Sequence, residues 1–265
     1  MKITFLGAGV FGTALAKIAE DNGHEIRFYD PYKYPEKTLS DTTNGSDLNI
    51  FTAPSSAADD ILPNLDKDTP LICASKGFLS QKPFSDFKDF SALGGAGFAK
   101  DIKETEKVTF TTSSETAENI FSTENTHIEY TTDTLGIMLC GALKNIFAIG
   151  AGLYGETSSP AAPMSYLESA ISEMQKILES NNANPETLRL SCGAADLVLS
   201  CTEKSRNFRF GRALKNGDFH PEENVTIEGL LVIESLNKYP NFIIPDSANL
   251  ITDIINAIKE KYVTK

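Results

Sequence analysis

The residues of this chain whose types and spacing could do chemistry are few and well separated. Gly7, Gly9 and Gly12 form a G-x-G-x-x-G run directly after the apolar stretch Ile3, Phe5, Leu6. Such a run can turn tightly, admit a phosphate close to the backbone and present helix N–H groups to it. Lys76 follows the apolar run Leu71 to Ala74, and Lys144 interrupts the nearly continuous apolar segment from Gly136 to Gly152. A charge in such a setting is costly unless paired or functional, so Lys144 reads as either an active-site lysine or half of a structural ion pair. Asp196 is set among small and apolar residues, where it could cap a helix or assist catalysis with Lys144 as its partner. From Lys204 to Lys215 the chain carries Lys204, Arg206, Arg209, Arg212 and Lys215 with no acidic residue. This cluster is either a solvated basic helix or an anion-binding turn in which arginine offers its planar donor fork.

These groups need elements to hold them. Lys2 to Leu6 reads as a strand, Thr13 to Asp21 as a helix and Glu25 to Tyr29 as the next strand, which ends in Asp30, 23 residues after Gly7. That strand–turn–helix–strand context is what a dinucleotide fingerprint requires; a purely structural glycine turn is the alternative. Asp30 could accept hydrogen bonds from ribose hydroxyls and would oppose a 2′-phosphate, which favours NAD and leaves NADP open through Arg27 or Lys33. Further strands are expected at Leu48 to Ala53, Leu71 to Ala74, Ser91 to Phe98, Val108 to Thr112 and Ile128 to Tyr130. Lys33 to Gly45 reads as a polar, turn-rich link. Short helices are expected at Ser56 to Leu65 and Glu115 to Phe121.

The rest is helical in pattern. Gly136 to Gly152, Met164 to Leu178 after Pro160 and Pro163, a helix beginning at Pro185, Thr226 to Lys238 and Ala248 to Glu260 all show helical spacing. Ile251, Ile254, Ile255 and Ile258 form a core-facing stripe. The expected fold is an α/β Rossmann-type N-terminal domain, residues 1–133, followed by an all-α C-terminal substrate domain, residues 134–265.

Composition narrows the partners. The 24 Lys plus Arg against 36 Asp plus Glu give a formal net charge of −12, a poor footprint for nucleic acid or an anionic membrane. The four cysteines show no C-x-x-C spacing and the three histidines stand apart from them, so no metal is expected. The N-terminal segment lacks a basic leader and no uninterrupted apolar run of about 18 residues is read in the chain, which points to the cytoplasm and to no integral membrane association.

Taken in order, GAGVFGTALA at 7–16, SKG at 75–77, GGAGFA at 94–99, CGALKN at 140–145, AADL at 194–197, SRN at 205–207 and TIEG at 226–229 closely resemble the NAD(P)-dependent glycerol-3-phosphate dehydrogenase family. The resemblance implies reversible reduction of dihydroxyacetone phosphate to sn-glycerol 3-phosphate, in support of glycerophospholipid synthesis, and is compatible with a homodimer. By the same resemblance Lys144 is the acid/base residue, assisted by Asp196 and Lys76. Gly95, Gly97, Ser205, Arg206 and Asn207 join those three around the substrate. Gly7, Gly9, Val10, Phe11, Gly12, Asp30, Lys76, Ala99, Arg206 and Glu228 lie around the cofactor. The chain departs from the family pattern in a short segment between Asp30 and Asp47, in Ala96 where proline is customary, in the residue at Gly97, and in the AAD before Asp196. A related dehydrogenase for another small phosphorylated or carboxylated hydroxy compound, and a catalytically weak NAD-binding protein, are the alternative readings.

Overall fold

The computed structural model describes residues 1–104, 107–154, 159, 161–217 and 226–260. The N-terminal half alternates strands and helices: β1 (Lys2–Leu6), α1 (Val10–Asp21), β2 (Glu25–Tyr29), α2 (Leu39–Thr43), β3 (Leu48–Phe51), α3 (Ala58–Ile61), β4 (Leu71–Cys73), β5 (Phe90–Ala96), α4 (Ala99–Lys103), β6 (Val108–Thr112), α5 (Ala117–Phe121) and β7 (Thr126–Tyr130). The strands form one sheet in the order β2-β1-β3-β4-β5-β6-β7. β1 to β5 run parallel, β6 turns antiparallel to β5, and β7 follows β6 in parallel. Because β2 lies on one side of β1 and β3 on the other, the topological switch falls at the carboxyl end of β1. Open sheets of this kind bind ligands at that point.

Alternation along the strands divides the core. Ile3 and Phe5, Ile50, Ile72 and Leu93 join α1 and α5 through Leu15, Ile18, Ile120 and Phe121 in one buried cluster. Leu6, Phe51, Leu71, Cys73 and Ala92 face the other way, into a cluster that continues through Phe78 and Phe84 to Leu139, Leu143 and Phe147. The second face of the sheet therefore shares its core with the helices that follow. Those are α6 (Thr134–Tyr154), α7 (Ala161–Ser180), α8 (Asp196–Ser200), α9 (Arg206–Asn216), α10 (Glu228–Ser235) and α11 (Asn249–Ile258).

Helix α6 is the axis of this half, buried from Gly136 to Leu153. It is long and apolar enough to cross a membrane by length and composition, although Lys144 and Asn145 interrupt its apolar run, and 94% of that apolar window is buried inside the protein. The Oδ1 of Asp133 accepts the Gly136 N–H at 2.9 Å in its first turn. Helix α9 crosses α6 at backbone contact: a Cβ on Gly211 would run into the Ile149 carbonyl, and one on Gly152 into the Phe208 carbonyl. The isoleucines of α11 are buried as their spacing predicts, and Glu173 of α7 accepts the Leu250 and Ile251 N–H groups at 2.7 and 2.9 Å.

Several expected elements differ in detail. Lys33 to Gly45 contains α2, which Thr38 caps by accepting the Asp41 N–H at 3.1 Å. The expected helix at Ser56 to Leu65 is α3 flanked by two 3₁₀ turns, the second with Pro63 near its start, where the missing N–H is tolerated. Pro185 begins only a 3₁₀ segment, Pro185–Arg189. The helix expected to run through Lys238 is α10 followed by a 3₁₀ turn. Pro160 lies outside the described residues.

Candidate active site

The glycine loop sits at the switch point. Gly7 has φ +112°, and a Cβ there would meet Ala53 N at 2.6 Å, so a side chain is excluded by both conformation and space. Gly12 packs against the Gly7 carbonyl and Thr52, while a Cβ at Gly9 would meet nothing within 4 Å. Gly9 also serves as the N-cap of α1, whose first turn carries no acidic side chain. The result is an open cradle lined by unpaired helix N–H groups, which fits a dinucleotide pyrophosphate. Val10 is exposed at the helix start, and Phe11 lies edge-on to Phe110 with ring centroids 6.3 Å apart.

Asp30 is tied to this loop. Its Oδ2 accepts the Ala8 N–H at 2.9 Å, and its Oδ1 accepts the Tyr32 and Lys33 N–H groups, both at 3.1 Å. Lys33 closes the other side by donating to the Ala8 carbonyl at 2.5 Å. Arg27 instead donates to Glu25 Oε1 and to the Asn44 carbonyl.

The chemical groups converge at the carboxyl end of β4. Asp196 divides its carboxylate between two ammonium groups: Oδ1 accepts from Lys144 Nζ at 2.5 Å and Oδ2 from Lys76 Nζ at 2.8 Å. Lys76 also donates to the Gly95 carbonyl at 3.2 Å and stands 5.6 Å from the Phe11 ring centroid. Lys144 donates to Ser200 Oγ at 2.8 Å. Lys144 and Asp196 are buried. Burial pushes the Lys144 ammonium down to about 7; Asp196 opposes that shift and Lys76 adds to it. A lysine so placed can exist in both protonation states near neutral pH, which suits an acid/base role.

Local structure aims these groups. The five-residue π-helical turn Ser191–Ala195 precedes Asp196, with Gly193 at a non-helical ψ of −113°. It is sewn to the sheet: Ser191 N–H reaches Glu129 Oε2 at 2.8 Å, Ser191 Oγ donates to the Thr109 carbonyl at 2.6 Å, and Cys192 N–H reaches Thr111 Oγ1 at 3.1 Å. The unusual AAD segment thus delivers its carboxylate from a turn fixed by β6 and β7. The Ala96 N–H donates to Ser191 Oγ at 3.1 Å, a bond that the customary proline could not make.

A second chain of contacts links the loop of Lys76 to the basic helix. Asn145 Nδ2 donates to the Lys76 carbonyl at 3.0 Å, Asn207 Nδ2 donates to Asn145 Oδ1 at 2.9 Å, and the Gly229 N–H donates to Asn207 Oδ1 at 3.0 Å. Ser205 caps α9 by accepting the Phe208 N–H. Arg206 is the exposed first residue of that helix, and Glu228 the first of α10. Burial pushes the Glu228 carboxyl up, with Arg206 and then Lys144 opposing.

The structure thus joins Lys76, Lys144, Asp196 and the Gly95 carbonyl directly. Gly97 is buried, with the Val108 side chain 3.2 Å from where its Cβ would stand, and Ala99 opens α4 beside α1. The basic cluster is not one anion-facing surface. Arg209 donates to the Glu203 and Lys204 carbonyls and Arg212 to Glu203 Oε1 at 2.6 Å. Asn145 and Ser200 join the lysine–aspartate cluster without having been among the expected site residues. The signal for Ser200 was its position four residues after Asp196, one helical turn along the same face.

A switch-point phosphate cradle opposite a buried lysine–carboxylate cluster defines a two-part nicotinamide-dependent oxidoreductase of the Rossmann type. Residues 2–36 and 133–262 match the N-terminal and C-terminal models of NAD-dependent glycerol-3-phosphate dehydrogenase. The chain belongs to this family. It is 28% identical to glycerol-3-phosphate dehydrogenase [NAD(P)+] of Oceanobacillus iheyensis, over 90% of this chain and 84% of that protein. It is 27% identical to the enzyme of the same name from Bacillus subtilis, over 86% of this chain and 82% of that one. The crystal structure of glycerol-3-phosphate dehydrogenase from Coxiella burnetii shares the fold, with a TM-score of 0.84 at 21% identity, covering 100% of this chain and 95% of that one.

Proposed function

We propose that this protein reversibly reduces dihydroxyacetone phosphate to sn-glycerol 3-phosphate, with residues 1–133 carrying the cofactor and residues 134–265 most of the substrate contacts. The observation that carries this reading is the shared carboxylate of Asp196 between Lys144 and Lys76, beside the glycine cradle, in a chain of this family. A reduced dinucleotide held by its pyrophosphate at the cradle would supply the hydride for the ketone carbon.

The protein's part is electrostatic and protonic. Of the three Nζ hydrogens of Lys144, one is held by Asp196 and one by Ser200, leaving one for the substrate oxygen. The cationic lysine stabilises negative charge developing on that oxygen and gives it a proton; in the reverse direction the neutral lysine takes the proton back. Asp196 orients both ammonium groups, and Lys76 adds a second positive charge on the substrate side. Arg206 at the start of α9 holds the phosphate with its donor fork, aided by the helix N-terminus and Ser205. Asn207 keeps one amide hydrogen beyond the relay described above, so it serves both to hold the phosphate and to position its neighbours. The backbone at Gly95 and Gly97 closes the substrate end.

For the cofactor, Gly7, Gly9, Val10, Phe11 and Gly12 cradle the pyrophosphate and its flanks, and Lys76, Ala99, Arg206 and Glu228 surround the nicotinamide end. Asp30 retains acceptor capacity for ribose hydroxyls, so NAD is favoured; Lys33, by leaving the Ala8 carbonyl, could meet a 2′-phosphate and allow NADP. The product would supply glycerophospholipid synthesis in the cytoplasm. The test is loss of NADH absorbance on adding dihydroxyacetone phosphate to the purified chain, with unphosphorylated dihydroxyacetone as control. A folded protein that oxidises NADH equally with both, or with neither, sinks the proposal.

A further inference from the structure

Glu228, placed above at the nicotinamide end, takes no part in the proton transfer. Its Oε2 is buried and accepts no hydrogen bond. The oxygen is aimed at the loop after β4: a Cβ on Gly77 would stand 3.6 Å from it and would press on Ser55. Gly77 directly follows Lys76, so Glu228 overlooks the same mouth as the lysine pair. Burial pushes its carboxyl up, and Arg206 and then Lys144 oppose that shift by favouring the ionised form. A carboxylate oxygen in such a place is costly unless something positive or hydrogen-bonding arrives during function.

The charge pattern of the mouth says what that is. Lys144 and Lys76 share the single carboxylate of Asp196, so the trio with both lysines protonated carries a net positive charge. Arg206 adds to it. The two forms of a nicotinamide cofactor differ by one unit of charge on the ring, which is cationic when oxidised and neutral when reduced. The ring has to meet the carbon whose oxygen faces Lys144, so its oxidised form enters a field that is already positive. Among the described residues Glu228 is the carboxylate at this mouth that neither lysine engages.

We propose that Glu228 sets the balance between oxidised and reduced cofactor, its carboxylate supplying the counter-charge to the oxidised nicotinamide ring. This rests on the cofactor reading given under Proposed function. It makes Glu228 a specificity-determining residue for redox state, with an effect carried by charge rather than by shape.

Calorimetric titration of the full chain with NAD+ and with NADH, each alone, tests it. Glu228→Gln keeps the shape and removes the charge; it should weaken NAD+ binding about tenfold and NADH binding less than about twofold, the size of one partly screened charge pair. Glu228→Asp keeps the charge and should hold the ratio of the two affinities within about twofold of the parent. If Glu228→Gln does not fold, Glu228→Ala is read in the same way. Equal weakening of both forms, or no change in either, overturns the proposal and leaves cofactor binding intact. A parent chain that binds neither form overturns the cofactor reading itself, and this inference with it.

Discussion

Asn207 donates from its Nδ2 to Oδ1 of Asn145 at 2.9 Å, joining the neighbour of Arg206 on one helix to the neighbour of Lys144 on another. The two amides bridge α6 and α9, whose backbones also approach closely at Gly152 and Gly211, and Asn145 also holds the Lys76 carbonyl. One buried amide pair therefore holds the start of α9, with Arg206, in register with Lys144 on α6 and with the Lys76 loop.

Lys144 is the first point to test. Lys144→Met keeps an unbranched side chain and removes the charge, so the glycine cradle should still bind NADH while turnover falls at least about a hundredfold. Single-turnover reduction of dihydroxyacetone phosphate at saturating cofactor measures it. Near-parental hydride transfer in the folded variant would return Lys144 to a structural ion pair.

The pH profile follows from the same residue. In the proposed mechanism reduction uses the cationic form, which is lost as pH rises through about 7, and oxidation uses the neutral form, which is gained over the same range. The rate of reduction should therefore fall, and that of glycerol 3-phosphate oxidation rise, across neutral pH. Parallel profiles in the two directions would show that Lys144 is not the titrating acid/base.

Arg206→Lys retains charge and loses the planar fork, so the catalytic efficiency with dihydroxyacetone phosphate should drop about thirtyfold, corresponding to about 2 kcal/mol. Arg209→Lys is the contrast, because Arg209 donates to the Glu203 and Lys204 carbonyls instead. An equal effect at both positions would mean that the whole basic helix, rather than Arg206, recognises the phosphate.

At the adenosine end, Asp30→Ala should weaken use of NADH more than NADPH, but it should weaken both, since Asp30 also holds the Ala8 N–H. Lys33→Met should lower efficiency with NADPH and spare NADH. Steady-state constants with each cofactor separate the two. Unchanged NADPH use in Lys33→Met would remove Lys33 from 2′-phosphate recognition.

Substituting Gly211 with alanine should destabilise the protein by about 1–3 kcal/mol, because the added carbon has to push the α6 backbone at Ile149 away. Denaturant unfolding measures the loss. A stability equal to the parent would show that the two helices can separate without penalty.

Local patterns determined much of this molecule. The strand–glycine–helix–strand opening, the apolar run around Lys144 and the isoleucine stripe of α11 follow from residue periodicity and turn chemistry, which act over a few residues and are readable in order along the chain. The existence of a buried lysine and a buried aspartate was legible for the same reason. Their arrangement was not. Lys76 meets Asp196 across 120 positions and Lys144 meets it across 52, and one carboxylate serving both is a product of packing α6 and α8 against β5. Asp30 reads as a ribose ligand, yet the fold also sets it to bracing Ala8. The run of cations reads either as a solvated basic helix or as an anion-binding turn, and the structure ties Arg209 and Arg212 to Glu203 and its neighbour. Side-chain periodicity states which groups must be buried or exposed; only closure of the helices on the sheet decides which partner each charge finds, because that choice depends on distances no local segment contains.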